Sequence, residues 1–423
     1  MAVAAPVLEL GYVNPAAGWW LVPTEETTPE LRWPASISVY DQMRKQDAQV
    51  QSVLRAVTLP VRRTAWRIEP GEARREVVEH VATDLGLPVN GEPVAEPLRI
   101  RNRFSWQRHL QTALLMVVFG HMYFEQVYRI EGGKARLRKL APRMPRSISA
   151  INVAADGGLE SIEQFAPANY RKAPFLTIPV NRLVAYVHEQ EGGNWHGQSL
   201  LRAAYKNWLI KDRLLRVQAQ SIDRNGMGVP LYKGAPGEAN LDHGIKLAKA
   251  WRAGNDAGAA VPHEADLVLR GVEGNLPNAD TAIRYHDEQI ARAVLAHFLN
   301  LGTQTGSWAL GTTFADFFIF SLQTLAESIR DVANAHVVED IVDINFGENE
   351  PAPRIVFDEI GSKHAATAQA IKMLIDSGAL AADPGLEGYL RTAYGLPPRE
   401  DPPTGEDPAE QPPDDTPPEL NNV

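Results

Sequence analysis

Two long runs of helical periodicity, from about Gln198 to Arg224 and from Thr281 to Leu301, bracket a short strand-helix-strand stretch, and no small globular fold accommodates that order easily. The second run spaces Ile283, Ile290, Val294, Leu295 and Phe298 on one helical face. At 1.5 Å per residue each helix is roughly 38 Å long. Between them the sequence predicts a strand Val229 to Lys233, a shorter helix Leu241 to Ala253 and a second strand Ala265 to Leu269. Residues 302–313 then hold three glycines and no charge, and a further helix is predicted from Phe314 to Val338.

The N-terminal half reads differently. Residues 1–35 combine five prolines with Trp19, Trp20 and Trp33, which breaks helices while offering large anchors, so this segment is expected to be an arm docked on a neighbour. Met43, Val50, Val53, Leu54 and Val57 predict a helix over 39–59 that stops at Pro60, followed by a strand at 65–68. A second helix is predicted from Ser105 to Phe119. After Gly120 the residues turn aromatic and β-branched, Gly132-Gly133 marks a turn, and strands follow at 137–140, 148–153, 159–165 and 182–188. The fold class is α+β. Helices are expected again at 362–376 and 386–394, before a tail too rich in proline and acid to fold.

Charge follows the same division. Of the net −10, residues 397–423 contribute eight acidic side chains against one basic, which leaves 44 against 41 for the rest. Such a nearly neutral body does not resemble a sequence-reading DNA binder with a basic face. With no cysteine, disulfides, thiolate metal sites and cysteine nucleophiles are excluded. The opening MAVAAPVLELGYV lacks a basic start and a cleavage site, and the longest apolar stretch, 113–119, is far short of a span, so a soluble, cytoplasmic chain without membrane contact is expected.

No catalytic or cofactor motif stands out. Gly132-Gly133-Lys134 lacks the earlier glycine of a phosphate loop, since Tyr128 occupies that place, and no hydroxyl residue follows the lysine. His286-Asp287-Glu288 points in three directions on a helix, and His121, His188 and His196 are scattered, so no metal site is expected. Ser199 with His196 suggests a hydrolase as a rival reading, but Gly197-Gln198-Ser199-Leu200-Leu201 is not a G-x-S-x-G elbow. The chain is therefore expected to be no enzyme and to need no cofactor.

Several separated stretches carry a family resemblance. They are Tyr40-Asp41-Gln42-Met43 with Asp47, Val50 and Leu54, then Trp66-Arg67-Ile68, and Phe119-Gly120-His121-Met122-Tyr123-Phe124-Glu125-Gln126-Val127-Tyr128. The most specific runs from Gly197-Gln198-Ser199-Leu200-Leu201-Arg202 through Tyr205, Trp208 and Lys211 to Asp223-Arg224-Asn225-Gly226 and Gly228-Val229-Pro230. Glu288-Gln289-Ile290-Ala291, Leu374-Ile375-Asp376-Ser377-Gly378 and Tyr394-Gly395-Leu396-Pro397 complete the order. In that order the chain resembles the portal proteins of tailed bacteriophages, and most of all their Mu-like branch, over residues 36–397.

The resemblance implies an N-terminal arm (1–35), a wing (36–197), a first stem helix (198–226), a clip (227–277) and a second stem helix (278–301). It further implies a tunnel loop (302–314), a wing return (315–361), a crown (362–396) and an acidic tail (397–423). It implies a homo-oligomeric ring, usually a dodecamer, at a capsid vertex of the virion, assembled in the host cytoplasm. Double-stranded DNA would pass through it during packaging and ejection, with a terminase motor, capsid protein and head-tail adaptors as partners. A shorter head-tail connector is the rival among ring proteins. The arm and the tail match nothing in the family.

Two groups of residues are candidates for the channel. Arg202, Lys206, Arg213 and Arg216 recur near multiples of 3.5 on the first long helix. The alternatives are a channel lining, a subunit-to-subunit ion pair with Asp287 and Glu288 on the other long helix, or a solvated face. Thr303, Gln304, Thr305 and Ser307 can brush a duplex without holding phosphates, and Trp308 contacts DNA or, as is favoured, anchors the loop against a neighbouring subunit.

Overall fold

The computed structural model describes residues 26–93, 104–166, 173–226, 229–250, 260–270, 278–294 and 308–361. Contacts divide the chain after Ile360, and apart from Gly361 every described residue belongs to the first unit.

The helix expected over 39–59 is two helices, α1 (Ala35–Gln46) and α2 (Ala48–Arg63). Asp47 separates them, because its carboxylate accepts from the Gln49 and Val50 amides at 2.8 and 3.0 Å, an N-cap that starts α2 afresh. Pro60 does not stop α2. Val57 and Val61 lie on its buried face one turn apart, and burying both outweighs the one backbone bond that proline forfeits. β1 (Trp66–Glu69) and α3 (Arg75–Leu85) follow. The helix expected at 105–119 bends into α4 (Trp106–Ala113) and the short α5 (Met116–Phe119).

β2 (His121–Glu131) and β3 (Lys134–Arg143) form an antiparallel hairpin whose turn glycines, Gly132 and Gly133, both have positive φ, as sequence predicts. β4 (Ile148–Val153), β5 (Leu159–Phe165), β6 (Phe175–Pro179) and β7 (Leu183–Val187) follow. The hairpin does not continue into β4. Instead β7 pairs with the other edge of β2, giving the order β3-β2-β7, while β4-β5-β6 is a separate sheet over its own core of Tyr123, Ile148, Leu159, Ile162, Ile178 and Leu183.

Then come α6 (Tyr205–Gly226), β8 (Val229–Lys233), α7 (Asp242–Ala250), β9 (Asp266–Arg270) and α8 (Asp280–Arg292). β8 and β9 pair antiparallel, with Leu231 opposite Val268. α6 starts seven residues later than expected. Gly197 at φ +60 turns the chain, and Ser199 accepts from the Leu201 amide, so residues 199–204 are held in turns.

α9 (Trp308–Ala333) starts six residues earlier than expected and runs through a π turn, Asn334–Val338, into α10 (Glu339–Phe346). The glycine-spaced loop is thus shorter than the sequence implies, because Ala309 and Leu310 favour helix and a single Gly311 costs only about 1 kcal/mol there. β10 (Arg354–Phe357) closes the described chain by pairing with β1. The main core joins α1–α5, the β3-β2-β7 sheet and parts of α8, α9 and α10. The helices expected at 362–376 and 386–394 and the acidic tail lie outside the described residues.

Where the expected arm is described, Leu31 is buried and Trp33 stacks on His196 at 4.6 Å, so residues 26–33 pack on their own chain, as large apolar anchors do on a nearby apolar wall.

Candidate functional site

α6 and α8 pack on each other, and a buried cation joins them to α2. Lys211 donates to Asp47 at 2.9 and 3.0 Å and forms an ion pair with Asp287 at 2.5 Å, with only 8% of its side chain exposed. Burial works to lower its pKa, but the hydrogen bonds to Asp287 and Asp47 prevail and hold it above the ordinary lysine value. Beside this, His286 Nδ1 meets Asn207 Oδ1 at 3.0 Å. Asp287, expected to face the basic stripe, is thus committed to Lys211 within one chain.

The stripe itself divides. Arg202 lies in the turn before α6 and grips Glu26 through Nη2 at 2.9 Å and through Nε. Burial tends to raise the Glu26 pKa, yet Arg202 and the Thr28 amide lower it overall. Arg216 pairs with Asp212 one turn back at 2.8 Å. Lys206 and Arg213 are exposed and form no ion pair among the described residues. Thr303, Gln304, Thr305 and Ser307 lie outside the described residues, and Trp308 is the first residue of α9, not a loop residue.

The outer flanks of the helix pair carry apolar side chains. Leu209 and Val217 are about half exposed on one side of α6, and Leu215 and Ile222 are similarly exposed on the opposite side, with Tyr285 exposed on α8. The strand pair β8–β9 likewise exposes Leu231 and Val268. Apolar faces of this extent ask for cover.

The three scattered histidines come together where β2 and β7 meet the chain leading to α6. The His188 amide donates to the Gly120 carbonyl at 2.8 Å, the Gln198 amide to the His188 carbonyl at 2.8 Å, and His121 Nδ1 to the His196 carbonyl at 2.9 Å. Gly120 and Gly197 face each other so closely that a Cβ on either would strike the other's backbone. His121 accordingly carries its proton on Nδ1, and burial pushes its pKa down to about 4. Among the described residues no three side chains are placed to hold a metal ion.

Ser199 is equally committed. Its hydroxyl donates to the Val118 carbonyl at 2.5 Å and accepts from Leu201, while the His196 ring lies against Trp33. A hydroxyl whose proton goes to a backbone carbonyl has no base to activate it, so this pair does not support the hydrolase reading. Asp47 and Lys211 were missed as a pair. Asp47 was legible as a helix cap, but nothing in sequence links it to a lysine 164 positions away.

A model of the family described as the portal protein of Mu bacteriophage matches residues 37–396. Among solved structures, the neck of an empty gene transfer agent particle computed with C6 symmetry aligns at TM-score 0.56 and 14% identity, over 86% of this chain and 94% of that one. The neck of a native particle computed with C12 symmetry aligns at 0.54 and 13%, and the virion of a native particle at 0.54 and 12%, both with the same coverage. At such identities these likenesses speak for the fold alone. No helix among the described residues is long and apolar enough to cross a membrane. Because the family match takes in the N-terminal α/β part, the α6–α8 helix pair with its insert and the α9 helix together, this chain belongs to the family of the portal protein of Mu bacteriophage.

Proposed function

We propose that this portal protein works as one subunit of a closed ring, most simply of twelve copies, set at a capsid vertex of the virion and encircling double-stranded DNA. The observation that carries the reading is the α6–α8 pair. Its two helices are locked to each other and to α2 by Lys211, yet Leu215 and Ile222 on α6 and Tyr285 on α8 stay exposed, as expected of a helix pair that stands between identical neighbours. A gene transfer agent neck of the same fold is computed with C12 symmetry, which supports the copy number.

In this reading residues 36–197 and 315–361 are the wing, the helices within 198–226 and 278–301 the stem, 227–277 the clip, and 362–396 the crown. The clip meets the terminase motor during packaging and head-tail adaptors afterwards, and the wing meets capsid protein. Assembly takes place in the host cytoplasm. The segment before α9, with Thr303, Gln304, Thr305 and Ser307 and with Trp308 as its anchor, faces the channel. It is uncharged, so DNA slides past without the phosphate contacts that make release salt-dependent. Contacts to the passing duplex are weak and sequence-independent. The role is mechanical, and the energy for packaging comes from the motor.

Negative-stain imaging with mass photometry of the purified chain tests this. Closed rings of a single copy number are expected. A chain that stays monomeric over a broad range of concentration and salt, and under capsid-assembly conditions, defeats the reading.

A further inference from the structure

The second exposed flank of α6 has a candidate occupant in the chain itself. Lys206, Leu209, Ile210, Arg213 and Val217 share one face, following the first at intervals of three, four, seven and eleven. Leu209, Ile210 and Val217 are 50, 36 and 52% exposed. This face points away from Leu215 and Ile222, which lie roughly half a turn round the helix.

Residues 1–25 join the described chain at Glu26, close to the head of α6. Glu26 is fixed by Arg202, three residues before α6 begins, and it also accepts from the Thr28 amide at 2.7 Å. Leu31 and Trp33 hold the following residues down. The upstream segment therefore starts at the head of α6, and its apolar block Trp19-Trp20-Leu21-Val22 comes only four to seven residues before the anchor. At about 3.4 Å per extended residue that block reaches roughly 14–24 Å from Glu26. Leu209 and Val217 lie roughly 6 and 18 Å along the axis from Tyr205. The reach is long enough to span that stretch of the helix.

The chemistry fits as well. Residues 1–25 contain two acidic residues, Glu9 and Glu25, and no lysine or arginine, whereas the face offers the cations Lys206 and Arg213, which form no ion pair among the described residues. We propose that residues 19–25 lie along α6 of their own chain, with Trp19–Val22 covering Leu209, Ile210 and Val217 and Glu25 beside Lys206. The arm is then an intrachain strap on the first long helix, leaving the Leu215–Ile222 flank to other copies. The contact lies within one chain, so it stands or falls separately from ring formation.

The chain has no cysteine, which allows a clean test. Full-length protein carrying Leu21→Cys with Ile210→Cys is assembled from mixed light and 15N-labelled chains, oxidised with copper phenanthroline and mapped by mass spectrometry. A disulfide joining peptides of one isotope is expected, at about fivefold or more above the control pair Leu21→Cys with Leu215→Cys, because tethered and apposed thiols have a high effective concentration. Mixed-isotope pairs would place the arm on another copy, and a yield equal to the control would leave it off this face; either overturns the proposal. Should the double variant misfold, carbodiimide treatment of the unaltered chain gives the same decision. An amide between Glu25 and Lys206 within one chain is expected, and its absence or its formation between chains overturns the strap.

Discussion

At the scale of single residues, the tightest constraint is the contact between Gly120 and Gly197. Gly197 has φ +60, and a Cβ there would fall on the Gly120 carbonyl and lie 2.6 Å from the His188 carbonyl. Gly197→Ala is expected to cost about 3 kcal/mol or more, since a strained backbone and a backbone clash add, and urea unfolding would register it as a lower midpoint with unchanged slope. The neighbouring histidines predict acid lability. Burial lowers His121 to about 4, and lowers His109, which meets the Tyr186 hydroxyl at 2.8 Å, to about 3. A histidine kept neutral in the fold stabilises fully above its unfolded pKa near 6.5 and loses that contribution as pH falls toward its folded value. At pH 5 each of the two is expected to have cost roughly 2 kcal/mol relative to pH 7.5, visible in denaturant midpoints taken across that range. A midpoint flat between pH 7.5 and 5 would contradict it.

At the scale of elements, Lys211 decides how α2, α6 and α8 sit together. Lys211→Met keeps the length of the side chain but strands two carboxylates, one of them the N-cap of α2, and is expected to destabilise by about 3 kcal/mol. Adding Asp287→Asn to that variant removes one stranded charge, so part of the loss returns, and a double-mutant cycle in urea measures the coupling. Without any recovery, the triad is not a unit. Element positions were largely legible where periodicity was strong, as in the β2–β3 hairpin, α6, β8, α7 and α8. Boundaries went astray where a side chain took over a backbone bond: Asp47 between α1 and α2, and Ser199 before α6. α3, β6 and β10 were missed altogether. β10 is only four residues long and exists because β1 lies beside it, a pairing across nearly 300 positions that no local pattern announces.

At the scale of the whole molecule, composition makes residues 397–423 the segment whose removal is expected to cost least. They contain few apolar side chains and many prolines, so truncation after Pro397 is expected to shift the melting temperature by less than about 2 °C and to leave the assembled species unchanged by mass photometry. A larger loss would mean that the tail is held somewhere. The sequence by itself determined the α+β class, the pair of long helices around a strand-helix-strand insert and the family, because apolar periodicity, turn glycines and the spacing of motifs are local properties that survive without the fold. It also carries neither a phosphate loop at Gly132-Gly133-Lys134 nor a nucleophile elbow around Ser199. Only the tertiary structure decided which charges meet. Four basic residues at helical spacing look equivalent on paper, yet Arg202 is spent on Glu26 and Arg216 on Asp212, Lys206 and Arg213 form no ion pair among the described residues, and Lys211, outside the pattern, holds the helices together. The same is true of His121, His188 and His196, which sequence scatters over 76 positions and two facing glycines bring to one junction. Ion pairs and buried contacts are set by distance in space, and distance in space is what one chain, read in order, does not contain.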